Sequence, residues 1–105
     1  MKKEYNKLVR DRIPEIIEEA GNDAQVFQVS GKTLQTYAFE KLREEVEEFI
    51  ANPCAEEVAD VMEILNFICH RSGIRDTTIL AETLAKRVSR GSFDQGFVLD
   101  WVEEK

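Results

Sequence analysis

Two short acidic runs, EEVEE at 44–48 and EEVAD at 56–60, stand on either side of Asn52-Pro53. They constrain the fold more than any other feature of the chain. At about 100° per residue, Phe39, Leu42, Val46, Phe49 and Ile50 share one face of a first helix, and Val58, Val61, Met62, Leu65 and Ile68 one face of a second. Glu45 and Glu48 flank the first apolar stripe with Lys41 beside them, while Glu40, Glu44 and Glu47 point farther outward. Glu57 and Asp60 flank the second stripe, and Glu56 and Glu63 lie well away from it. Each helix thus carries an acidic pair at i,i+3 on the shoulder of its buried face.

The turn between them decides what those pairs can do. Asn52 suits an N-cap and Pro53 the first helical position, and so short a link makes the helices antiparallel neighbours. Glu48 then stands about one turn before the bend and Glu57 about one turn after it, with Glu45 and Asp60 roughly one turn further on. The four carboxylates converge at similar height. Unmatched carboxylates repel one another and resist desolvation, so their convergence favours a hard, oxygen-seeking cation and raises the pKa of at least one of them. The competing reading is a pair of ordinary solvated helix faces.

With these residues in view, EEVEE followed by EEVAD resembles the EExxE…ExxD signature of the MazG-like all-α nucleoside triphosphate pyrophosphohydrolases. Glu44, Glu45 and Glu48 match the first half, and Glu57 and Asp60 the second. YNKLVRDRIPEII near the start and RVSRGSF at 87–93 are similar to a phosphoribosyl-ATP pyrophosphohydrolase-like subgroup, so the resemblance spans most of the chain. The link between the two halves is shorter than in the better-known members, which leaves the size of the base pocket, and hence the substrate, open.

The resemblance implies Mg2+-dependent cleavage of a nucleoside triphosphate between its α- and β-phosphates, with Mn2+ as a substitute ion. Glu45, Glu48, Glu57 and Asp60 are then the metal ligands. Glu44 is an additional ligand or the base that orients water, so that Glu44, Glu45 and Glu48 form the catalytic set. Lys41 contacts a phosphate or balances the acidic cluster. The implied task is clearance of unwanted nucleotides, with phosphoribosyl-ATP cleavage in histidine synthesis as the enzymatic alternative. It also implies a homodimer or higher homo-oligomer. A different class of reading makes the acidic hairpin a protein-interaction module with no specific divalent binding.

Length and charge bound these readings. A chain of 105 residues fits one domain spanning 1–105, and 43% hydrophobic content fits a folded one. A formal net charge of -7 argues against a nucleic-acid or anionic-membrane surface. The start has no signal-like apolar core and no later run is long enough to span a bilayer. Cys54 and Cys69 form no CxxC pattern, and Cys69 falls on an apolar face, so a cytoplasmic protein with reduced thiols is expected.

The expected fold is an all-α antiparallel bundle with a minor two-stranded ribbon. Helices are predicted over 13–20, 33–50 and 53–72, and a last one, capped by Asp76 or Thr77, reaches Arg90. Residues 25–29 and 96–102 have strand-like composition and are paired as the ribbon, the alternative for the latter being a terminal helix. Residues 5–12 are either a solvated lead-in or a segment that lies against the hairpin and frames the site. His70, the only histidine, is expected at the surface. Lys86 and Arg90 have two readings: solvation of a helix end, or contact with a phosphate tail.

Overall fold

The computed structural model describes residues 1–105, and it is all-helical: α1 (Ile13–Glu19), α2 (Gly31–Ala51), α3 (Ala55–Arg71) and α4 (Asp76–Arg90). The chain divides into two compact units, Met1–Ser72 and Gly73–Lys105.

In the first unit α2 and α3 pack on each other as a helical hairpin. They run antiparallel, since Arg71 at the end of α3 donates to the carbonyl of Gly31 at the start of α2 (3.5 Å). The bend differs in detail from expectation. Asn52 is the C-cap of α2, and its N–H reaches the carbonyls of Glu48 and Phe49. Cys54 takes the extended N-cap position of α3, so Pro53 lies in the link rather than at the first helical position. Ser72 closes α3, and Gly73 follows in the left-handed region (φ 72°), a common way for a helix to stop.

The seam between the helices is centred on Ala38 and Glu45 of α2 and Ile64 and Cys69 of α3, all buried. This corrects the phase read from the large apolar residues. Val46, Ile50, Val58, Met62 and Leu65 are exposed, while Leu42, Phe49, Val61 and Ile68 are half-buried. Ala38 is 1% exposed because a small residue lets two helix backbones approach closely. Glu45 lies two turns farther along the same line, within the seam and not on its shoulder.

Residues 5–12 join this unit through α2. Asn6 adopts a left-handed backbone (φ 45°), which asparagine tolerates better than most residues. Its Oδ1 accepts a hydrogen bond from the Tyr37 hydroxyl at 2.8 Å.

The expected ribbon is absent. Neither 25–29 nor 96–102 forms a strand, and the latter forms no terminal helix either. The Phe27 ring instead meets Tyr37 edge-on, with centroids 6.5 Å apart. Strand-like composition expresses a fit to a pleated neighbour, and two short segments distant in sequence must also offset the entropy of closing the loop between them.

In the second unit α4 starts one residue after the N-cap Arg75, so Asp76 sits inside the first turn and not at the cap. Gly91 ends the helix with φ 81°. Leu80, Leu84 and Val88 are exposed along it. No helix in the structure is long and apolar enough to cross a membrane.

Candidate metal centre

The two helices bring five carboxylates together in two overlapping groups. Glu44, Glu45 and Glu48 each offer an oxygen within 4.8 Å of the others, as do Glu45, Glu57 and Asp60. Glu45 belongs to both groups, because it alone of the five sits in the seam. Glu44, expected to point outward, is turned into the cluster by two cations. Glu40, Glu47, Glu56 and Glu63 are exposed, on the outer faces of their helices.

Three cations answer the five acids. Lys41 Nζ lies 3.0 Å from Glu45 and 3.3 Å from Glu44, one turn along the same helix. From the N-terminal segment, Lys7 reaches Glu44 at 2.9 Å and Arg10 reaches Asp60 at 2.8 Å. Two negative charges remain in excess. The acids left without a cation are Glu48, which is exposed, and Glu57, which is half-buried; Glu45, only 6% exposed, pairs with Lys41 through Oε1, but its Oε2, like that of Glu57, is buried with no hydrogen-bond partner. An uncompensated carboxylate oxygen in such a place is costly. Hard-cation chemistry removes that cost, because Mg2+ and Mn2+ take oxygen ligands from carboxylates.

The protonation tendencies follow from this geometry. The charge on Glu45 is the main cause that holds the Glu48 carboxyl above its ordinary value, followed by desolvation and by the charges of Glu44 and Glu57. Burial is the main cause that raises Glu57, with Asp60, Glu45 and Glu56 adding repulsion. For Glu44 burial pushes upward, yet the hydrogen bonds from Lys7 and Lys41 outweigh it and leave the carboxyl lowered. Burial likewise pulls Lys41 down, but its bonds to Glu45 and Glu44 prevail and raise it.

These directions set a pH dependence for the ion-free protein. Glu48 and Glu57 bind protons more tightly folded than unfolded, so their contribution to stability is full below the ordinary value of 4.5 and is lost as pH rises through the raised values. Glu44 runs the other way, contributing above 4.5 and losing that contribution as pH falls through its lowered value. In chelator, the melting temperature should therefore fall as pH rises above 4.5 through the raised values of Glu48 and Glu57. Glu48→Gln should reduce that fall and stabilise the ion-free protein slightly. Melts followed by circular dichroism check this, and identical slopes for the two proteins would count against the repulsion.

Lys86 and Arg90 are exposed on α4 of the second unit, Arg90 as its last residue. His70 is exposed near the end of α3, and both cysteines are free thiols, Cys69 buried and Cys54 exposed. A cleft of about 370 Å3 opens at the end of the hairpin away from the bend, lined by Gly31, Lys32, Gln35, Ala38, Ile68, Arg71 and Ser72. It shares no residue with the carboxylate cluster.

Arg10, with Asp11 and Arg12, was expected either in a solvated lead-in or in a segment that lies against the hairpin, and its pairing with Asp60 fits the second; Lys7 was not singled out. The available signal was indirect: an acidic cluster short of cations, and a segment with Lys7 and Arg10 three residues apart. Comparison of the chain with protein-family models, curated proteins and solved structures finds no match.

Proposed function

We propose that this protein is a Mg2+-dependent nucleoside triphosphate pyrophosphohydrolase that releases a nucleoside monophosphate and pyrophosphate. One observation carries this reading: the seam residue Glu45, with a buried and unpartnered carboxylate oxygen, joins two carboxylate groups drawn from two helices. Solvated helix charges or an acidic docking face have no need of such convergence. It therefore favours a cation site over an interaction module. The match of the same residues to the EExxE…ExxD pattern supplies the reaction class.

Glu45, Glu48, Glu57 and Asp60 would hold the ion, with Glu44 completing the first group. An ion held by these residues would supply neutralisation of phosphate charge and a more acidic water for attack at the α-phosphorus. Glu48 is exposed at the rim of the cluster, and Glu44 would be an additional ligand or the base that orients the water. Lys41, tied to Glu44 and Glu45, keeps two adjacent acids in place.

The protein is also proposed to be a homodimer or a larger homo-oligomer. Val46, Ile50, Val58, Met62 and Leu65 leave an uncovered apolar face along the hairpin, of the kind that marks association sites. Sedimentation should give a multiple of the chain mass, and a monomer at micromolar concentration would contradict this part of the reading.

The test of the reaction is a panel of nucleotides, including modified bases and phosphoribosyl-ATP, incubated with and without Mg2+. Pyrophosphate should be the first inorganic product and should vanish in chelator. Orthophosphate as the first product would sink the assignment, as would no turnover across the panel.

A further inference from the structure

We infer that Lys7 and Arg10 stand in for the metal ion at the carboxylate cluster and pass to the phosphates of the ligand when the ion enters. The inference rests on the metal-site reading above and adds two residues from outside the acidic helices. Each occupies one acid of the cluster: Lys7 takes Glu44 at 2.9 Å and Arg10 takes Asp60 at 2.8 Å. Glu44 and Asp60 belong to different carboxylate groups, so the N-terminal segment spans both.

Two features make these cations exchangeable, unlike Lys41. The first is exposure. The Lys7 and Arg10 side chains are 36% and 53% exposed, against 17% for Lys41, which is held between Glu44 and Glu45. The second is an independent tether. The segment is held to α2 by the bond from the Tyr37 hydroxyl to Asn6, so either side chain can change partners while the backbone stays in place. A divalent ion competes with both for carboxylate oxygens. Once displaced, a lysine and an arginine remain at the mouth of the site, facing the solvent from which a polyphosphate arrives. Arginine suits bidentate contact with phosphate oxygens and lysine a point contact.

The consequence is a split with opposite signs. Lys7→Met and Arg10→Met remove a competitor, so each should bind Mn2+ about two- to fivefold more tightly, the range expected from an exposed ion pair. Each should bind inorganic pyrophosphate, at saturating Mn2+, about tenfold or more weakly, as expected for a lost charge-assisted contact. Arg10→Lys should recover part of the pyrophosphate affinity. Both affinities are read by calorimetry on the full chain, with Glu45→Gln as the site control. A residue that only braces the fold would weaken both ligands when removed.

The outcomes separate the two levels of the reading. A wild type that binds no Mn2+ overturns the metal site and this inference with it. A wild type that binds Mn2+, with variants unchanged or weakened for the ion, overturns the inference alone. Tighter Mn2+ binding with unchanged pyrophosphate binding overturns the transfer to phosphate.

Discussion

Replacing Glu45 by glutamine is expected to slow pyrophosphate release about a thousandfold, equivalent to the several kcal/mol that a metal ligand contributes to the transition state. Asp60→Asn should act in the same direction. Glu63→Gln should leave turnover within a factor of two or so, as surface substitutions away from a site usually do. The three positions are alike in composition and differ in place. Glu45 links both carboxylate groups from within the seam, Asp60 is half-buried in one of them, and Glu63 is exposed on the outer side of the same helix as Asp60. Steady-state rates at saturating Mg2+ make the comparison. Equal losses at Asp60 and Glu63 would mean that the chemistry does not depend on the convergence described here.

The second large effect is on stability. An ion that binds only the folded protein stabilises it by about 2.7 kcal/mol at a hundredfold excess over its Kd, which for a chain of this size raises the melting temperature by roughly 10 °C. The proposed origin of that gain is the pair of buried oxygens of Glu45 and Glu57, which have no hydrogen-bond partner and would take the cation. Glu45→Gln removes the residue common to both groups, so Mg2+ should then raise the melting temperature by a small fraction of the wild-type shift. Paired melts in Mg2+ and in chelator give the result. Equal shifts in both proteins would show that these carboxylates do not act as one site.

The helical hairpin and the outward faces of Glu56 and Glu63 were legible in the sequence, because helical period and a short link leave little choice of arrangement. The position of Glu45 was not. A phase drawn through Phe39, Val46 and Ile50 follows the largest side chains, whereas the helices meet along Ala38, whose small size permits close approach. That shift of the seam turns Glu45 from a shoulder residue into a buried one. It also leaves large residues such as Ile50 and Met62 uncovered. The bend was placed correctly, but Pro53 lies in the link, with Cys54 in the cap position that Asn52 was expected to fill.

The cations of the site were harder to read. Lys7 meets Glu44 across 37 positions of sequence and Arg10 meets Asp60 across 50, from a segment with no periodic pattern. Contacts of that range depend on where the chain folds back, which local composition does not encode. The ribbon failed for a related reason. Residues 25–29 and 96–102 have the right residues for strands, but nothing in either segment specifies a partner.

Hydrolysis in water enriched with oxygen-18, with Mg2+ and a nucleoside triphosphate that the panel shows to be cleaved, tests the central claim most directly. Water directed at the α-phosphorus places the label in the nucleoside monophosphate and leaves the pyrophosphate unlabelled, and mass spectrometry of the two products is predicted to show that distribution. Label in the pyrophosphate, with none in the monophosphate, would place the attack at the β-phosphorus and contradict it.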